Sequence, residues 1–351
     1  MEPRLPAAPP AAPGSARSVV FATDALDPLV GLARMAEAAG FDRVWTTEYP
    51  GRDAVARALA VALGTDRIGV GTGIAYAFTR PPLAMAGLAA DVQRLSGGRF
   101  ALGVGAGTRG VRRWYGAEFD PPAPRLASYV AGLAEAWQGW PDMGGGRAPE
   151  VFAAGLQPVM VATAVRHCAG VLLHPLAMVR RHLRERVVPA LRRGAAERTA
   201  PGAVQVAAWC VTSVDDDGDR ARARAAAQLA FYLSTPSYGP VLAGTGWEPV
   251  ADAVRAAFEG SGRRAPWSQL AALVPRSLVE EATIAGRPDD VERRAAAVES
   301  ELAALGVTEL VFQTVGADLP DADVAGNCRR IIETLGRDRG SVLTGQGLAS
   351  R

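Results

Sequence analysis

Glu48 and Tyr49 stand side by side where an apolar, β-branched run ends, a carboxyl next to a phenol. A carboxyl can shuttle a proton and a phenol can donate one, and a side chain so placed typically contributes about 10²–10⁴-fold in rate. A structural alternative stands beside this, with Glu48 paired to Arg52 or Arg80. His174, before Pro175, closes another short apolar run, either as an imidazole facing a pocket or as a hydrogen-bonded structural histidine. Two further runs dissolve into glycine at their ends, Gly69-Val70-Gly71-Thr72-Gly73-Ile74 and Gly103-Val104-Gly105-Ala106-Gly107-Thr108-Arg109-Gly110. Such bare backbone permits a bulge or the close approach of a ligand. The second run has the glycine spacing of a dinucleotide fingerprint but follows the fourth strand, not the first, and Glu118 lies in a Gly/Pro loop, so a ligand-approach loop is the better reading. Trp114-Tyr115 suits a ring-lined pocket, whereas Trp45 reads as core. Arg109, Arg112 and Arg113 could meet an anion, with a solvated face as the default.

Bulk properties narrow the classes. In 351 residues, 49% are hydrophobic and 21% charged, enough for a large buried core. The 38 basic and 36 acidic residues leave a net charge of +2, which argues against a nucleic-acid or anionic-membrane surface. Cys168, Cys210 and Cys328 are far apart, and neither they nor His167, His174 and His182 have metal-ligand spacing, so no metal site is expected. A reduced, cytoplasmic setting fits. Residues 1–17, rich in Pro and Ala without the apolar stretch of a signal peptide, are expected to be a disordered tail, and 337–351 a second tail. No apolar run is long enough to cross a bilayer.

The elements that must position these residues alternate along the chain. Strands are expected at 18–22, 43–47, 68–73, 100–104, 151–154, 171–173, 204–214 and 307–313. Helices are expected at 27–39 (Asp27 as N-cap, Gly40 as stop), 53–63, 82–95, 125–137, 160–168, 175–193 and 322–335. Eight βα units with short right-handed crossovers close most simply into a (β/α)8 TIM barrel, a single domain over 18–336. Residues 219–278 break the rhythm and read as a mainly helical insertion between strands seven and eight. Its Tyr232, Tyr238 and Trp247 would cover the C-terminal face, where such barrels bind ligands.

Several segments resemble the bacterial-luciferase-like flavin and deazaflavin oxidoreductases, particularly the coenzyme F420-dependent branch. They are Gly-Phe-Asp-Arg-Val-Trp-Thr-Thr-Glu-Tyr (40–49), Thr-Asp-Arg-Ile-Gly-Val-Gly-Thr-Gly-Ile (65–74) and Ser-Gly-Gly-Arg-Phe (96–100) leading into Leu102–Gly107. Weaker matches follow at Pro158-Val159-Met160 and at 169–175, and residues 284–291 and 306–310 resemble the family's closing segment. The matches run in order over almost the whole chain.

The resemblance implies a cis peptide at Gly73–Ile74 backing the cofactor ring. It also implies a cofactor site from Thr47, Gly73, Ile74, Gly105, Gly107 and Thr108, with Ala154, Gly155, Leu156 and Gln157 as the phosphate loop. Glu48, Tyr49 and His174 are the implied catalytic positions, Tyr49 standing where an imidazole is usual. Gln157 replaces a customary Gly and Ala169 a customary acid, while Thr108-Arg109 replaces the catalytic Glu of sugar-phosphate-oxidising relatives and disfavours that activity. The cofactor expected is coenzyme F420, with FMN as the alternative. The expected reaction is hydride transfer to an activated C=C or C=N bond of a specialised metabolite or modified peptide. The alternatives are an FMN monooxygenase or a barrel that has lost catalysis and binds a ligand. The expected partners are a small-molecule or peptide substrate and a second copy in a homodimer, with neither nucleic acid nor membrane.

Overall fold

Strands covered by helices on one side and by a filled barrel on the other must be apolar on both faces. Phe100–Gly105 and Gly170–Leu173 are accordingly buried at every position. The computed structural model describes residues 15–117, 121–143, 147–262 and 266–337. Among them ten strands form one sheet: β1 Ala16–Val20, β2 Arg43–Thr46, β3 Gly69–Thr72, β4 Ala75–Tyr76, β5 Phe100–Gly105, β6 Glu150–Gly155, β7 Gly170–Leu173, β8 Gln205–Val214, β9 Thr283–Gly286 and β10 Glu309–Thr314. All pairings between them are parallel, and β10 pairs with both β1 and β8. That closes the ring β1-β2-β3-β5-β6-β7-β8-β10, the expected (β/α)8 barrel. β4 resumes the line of β3 beyond a bulge and pairs with β5, Tyr76 opposite Gly105.

The helices are α1 Leu26–Ala38, α2 Ala54–Gly64, α3 Pro82–Leu95, α4 Arg109–Trp114, α5 Pro122–Gly139, α6 Pro158–His167, α7 Arg180–His182, α8 Val188–Ala196, α9 Gly218–Leu233, α10 Glu248–Gly260, α11 Trp267–Leu270, α12 Arg276–Ala282, α13 Pro288–Ala304 and α14 Asp321–Leu335. None among the described residues is long and apolar enough to cross a membrane. Local chemistry explains most boundaries. Asp53 caps α2, its carboxylate accepting from Ala56 N at 2.8 Å.

Long-range contacts move others. Asp27 lies inside the first turn of α1 instead of capping it, because α1 starts one residue earlier, after Ala25. β1 starts at Ala16, two residues ahead of expectation, since Arg17 is held by Glu299 at 2.6 Å and by the Leu335 carbonyl at 2.9 Å. The rest of the expected N-terminal tail, 1–14, and the C-terminal residues 338–351 lie outside the described residues.

The single helix expected over 175–193 is broken into a 3₁₀ turn Pro175–Met178, α7, a π-helical turn Leu183–Val187 and α8. Pro189 has no N–H for the Glu185 carbonyl, so an α-helical bond there is impossible and the wider turn takes its place.

The insertion is helical as expected, but its helices run to Ala282 and are followed by the unforeseen strand β9. β8 is ten residues long and overshoots β7, so Val211–Val214 offers a free edge that β9 covers. Leu229, Leu233, Val254 and Leu270 of the insertion share one apolar cluster with Val211 of β8 and Val315 beyond β10, which seats it on the C-terminal end of the barrel.

The barrel interior is plugged by Trp45, Phe152 and Trp209, with Val20, Leu172 and Val311 around them. Three glycines make that possible. A Cβ on Gly71 would run into the Trp45 ring, one on Gly73 into Trp209, and one on Gly170 into Phe152. Below the plug Glu309 accepts from Trp45 Nε1 at 2.7 Å and pairs with Arg43 at 3.1 Å. Gly71→Ala is expected to cost about 1–3 kcal/mol by overpacking, read as a fall of several degrees in melting temperature. An unchanged melt would mean that the Trp45 ring is free to move aside.

Candidate active site

Side chains alternate along a strand, so the interior row that starts with Arg43 and Trp45 on β2 reaches Thr47 at the mouth. The same alternation carries Gly73, Gly105, Ala154, His174 and Gln313 to the C-terminal rim. Gly73–Ile74 is a cis peptide. Ile74 packs on the Trp209 cluster, and a Cβ on Gly105 would lie 2.6 Å from Ile74 Cδ1 and 3.3 Å from Ala154 Cβ. The result is a floor of Ile74, Gly105 and Ala154 over the Trp209 ring, apolar except for the indole N–H, which has no partner among the described residues.

Glu48 is fastened to the bulge beside this floor. Its N–H donates to the Ile74 carbonyl at 3.2 Å, and its Oε2 accepts from Tyr76 N at 3.3 Å. Arg80 donates to both carboxylate oxygens, at 3.1 and 3.2 Å, and its other nitrogen bonds Asp53, the α2 cap. The Tyr129 hydroxyl donates to the Arg80 carbonyl at 3.0 Å. Burial pushes the Glu48 carboxyl above its ordinary range while Arg80 pulls it back. Of the two pairings open in the sequence, Arg80 is the one formed; Arg52 instead meets Asp24 at 2.8 Å.

Tyr49 turns outward, half-exposed, its ring edge-on to Trp114 at 6.3 Å and to Phe231 of α9 at 6.5 Å. Trp114 and Tyr115 lie not in a loop but on and just after α4, whose N-cap is Thr108, the hydroxyl accepting from Val111 N at 3.3 Å. Gly107 precedes it at φ 67°, its backbone close to the Tyr76 ring.

His174 caps the 3₁₀ turn through Nδ1, which accepts from Leu176 N at 3.2 Å. The proton therefore sits on Nε2. That nitrogen has no partner among the described residues and is not sealed from solvent. The ring lies 4.7 Å from Tyr232 and 4.6 Å from Tyr238, and burial pushes its pKa down to about 3. His174 is thus a neutral donor, not an acid in the charged sense.

At the far side of the mouth the loop Gly155–Gln157 leads into α6. His182 Nε2 donates to the Leu156 carbonyl at 2.9 Å, and Gln157 Nε2 is buried without a partner among the described residues. Of the three aromatic residues expected to cover the pocket, Tyr232 and Tyr238 do approach it. Trp247 does not: its Nε1 donates to Glu281 at 3.2 Å and its ring packs on the insertion's own core. Glu118 lies outside the described residues.

Sequence reasoning missed Tyr76, Trp209, Phe231 and His182. Alternation on β8 places Trp209 on the interior face, and the bulge places Tyr76; nothing local announces His182 or Phe231.

The luciferase-like monooxygenase family pattern matches residues 5–309, and the chain belongs to that family. It is 33% identical over 251 residues to the uncharacterized protein Rv1360 of Mycobacterium tuberculosis, covering 62% of this chain and 73% of that one. It is 28% identical over 302 residues to the 5,10-methylenetetrahydromethanopterin reductase of Methanolobus tindarius, covering 81% and 90%. Among solved structures, the coenzyme F420 dependent tetrahydromethanopterin reductase of Methanopyrus kandleri superposes with a TM-score of 0.70 at 22% identity, over 92% of this chain and 98% of that one, a likeness of fold.

Two outcomes follow from the geometry. His174 titrates near 3 when folded and near 6.5 when unfolded, so the unfolded chain binds the extra proton between those values. Its contribution to stability is complete above about pH 6.5 and is lost as pH falls toward 3, by at most about 1.4 kcal/mol per pH unit. His174→Asn should flatten the acid limb of melting temperature against pH; parallel limbs would contradict the buried, neutral ring. Glu48→Gln leaves Arg80 without its buried counter-charge and should lower stability by about 1–3 kcal/mol. Tyr49→Phe should leave the melt unchanged, and a fall equal to that of Glu48→Gln would refute this division of labour.

Proposed function

We propose that the protein is an F420-dependent oxidoreductase that reduces an activated C=C or C=N bond of a specialised metabolite or modified peptide by hydride transfer. The observation that carries this reading is the floor at the barrel mouth, built of Ile74, Gly105 and Ala154 over Trp209 and bordered by uncharged donors. Such a floor suits a planar ring, and Gly105, lacking a Cβ, leaves the room in which Ile74 lies to form it. Bound there, reduced F420 supplies a hydride.

Gly73, Ile74, Gly105 and Thr47 would hold the ring. Ala154, Gly155, Leu156 and Gln157 would meet the phosphate-bearing tail at the start of α6, where backbone N–H groups favour an anion. The buried, unpartnered amide of Gln157 fits a tail acceptor, so the departure from Gly is compatible with the group. His182 keeps this loop in place through the Leu156 carbonyl. Glu48, fixed by Arg80, shapes the wall next to the ring, and His174 offers its Nε2 proton to substrate without becoming charged. The coenzyme F420 named for the Methanopyrus kandleri reductase supports the deazaflavin over a flavin.

Titration of the purified protein with F420 and with FMN, followed by absorbance and tryptophan fluorescence, tests the assignment. F420 should bind at least tenfold tighter, and the reduced complex should not consume oxygen. Preference for FMN with oxygen uptake would replace the reductase by a monooxygenase, and binding of neither would leave a catalytically silent barrel. Trimming the insertion over 219–278 should change which substrates react while leaving F420 affinity intact.

A further inference from the structure

Four tyrosines converge on the mouth, and they are not equivalent. Tyr232 is tied down, its hydroxyl taken by Gln313 Nε2, and it belongs to the core of the insertion. Tyr49 is a half-exposed wall residue. Tyr76 and Tyr238 differ from both. Tyr76 is 8% exposed, its backbone N–H bound to Glu48 and its ring 5.3 Å from that of Tyr115. Its hydroxyl nevertheless has no partner among the described residues and is not among the side-chain atoms sealed from solvent. The Tyr238 hydroxyl is in the same condition, its ring 4.6 Å from His174.

The two arrive from opposite sides of the ring. Tyr76 stands on β4, which continues β3, and Tyr238 on the insertion that follows β8, diametrically across from β3. Burial, and then the Tyr238 phenol before any other charged neighbour, raises the pKa of Tyr76; burial and Tyr232 raise that of Tyr238. Both remain protonated donors throughout the neutral range. Neither O–H is taken up by a side chain among the described residues, so both are free to donate from the aromatic walls to a ligand in the mouth.

We propose that Tyr76 and Tyr238 form a two-phenol clamp for the carbonyl oxygen of the substrate, which makes the substrate class an α,β-unsaturated carbonyl compound. This deepens the reading of the site as a hydride-transfer site and rests on it. When a hydride bonds to the β-carbon, the C=C electron pair moves onto the carbonyl oxygen. The clamp donates two hydrogen bonds to that enolate oxygen, and a solvent proton at the α-carbon completes the addition. The two electrons gained by the substrate C=C would be those of the hydride that bound reduced F420 supplies. Preorganised donors at the point where charge develops are the most effective form of such stabilisation.

The test needs no substrate. 4-Nitrophenolate, a planar aromatic oxyanion, is titrated into F420-loaded and cofactor-free protein and followed by its visible absorbance. The wild-type protein should bind it with a spectral shift, and Tyr76→Phe and Tyr238→Phe should each weaken binding about tenfold or more, the loss of a hydrogen bond to a charged acceptor. Each variant keeps its ring, and thermal melts check that it folds. Tyr238→Phe lies outside the barrel and reports even if Tyr76→Phe is unstable. Binding unchanged in either folded variant, or no binding to wild-type protein, overturns the clamp. Failure of F420 itself to bind strikes the cofactor assignment instead, while the titration of cofactor-free protein still decides the phenol pair.

Discussion

The barrel depends on a steric exchange: three aromatic plugs on β2, β6 and β8 occupy the volumes that side chains on Gly71, Gly170 and Gly73 would need. Interiors pack at crystal-like density, so an aromatic ring fits only where a neighbouring strand, as for Trp45 and Phe152, or the opposite one, as for Trp209, gives up a Cβ. The exchange has a consequence at the mouth. Trp209 reaches across to the space beside Gly73, and Ile74 lies over Gly105, so the two together form the apolar layer at the mouth. That layer is therefore a by-product of how the core is filled.

Around this layer the charges are tied to one another. Arg80 joins Glu48 to Asp53, and Asp53 in turn caps α2, so a single guanidinium connects the β2 loop, the bulge and a helix terminus. Breaking one partner of a buried pair leaves an uncompensated charge, which makes the network rigid even where its net worth is modest. The groups left available to a ligand are uncharged: an imidazole kept neutral by burial and phenols kept protonated. A site of neutral donors suits chemistry in which negative charge appears on the substrate only as the reaction proceeds.

The insertion adds the remaining wall. Phe231, Tyr232 and Tyr238 come from one helix and the turn after it, and the cluster that seats them includes Val211 and Val315 at the barrel end. Lid and barrel thus share a core, which gives the aromatic side of the pocket a fixed position relative to the bulge.

The eight βα units, the glycines at the ends of β3 and β5, and the likeness to the luciferase-like family were legible in the chain itself, because short continuous apolar runs, helix caps and bare strand ends are local signals. So was the cis bond at Gly73–Ile74, through that likeness. The break at Pro189 was legible in principle, since a missing N–H is a property of one residue. What the sequence could not decide is pairing at a distance. Whether Glu48 meets Arg52 or Arg80, that Trp247 turns into the insertion, that β9 covers the overhang of β8, and that Tyr76 and Tyr238 approach one mouth from opposite sides all depend on closure of the barrel. Closure brings together residues separated by tens to hundreds of positions, and their side chains are then selected by available volume and by unsatisfied hydrogen bonds, quantities that exist only in the folded chain.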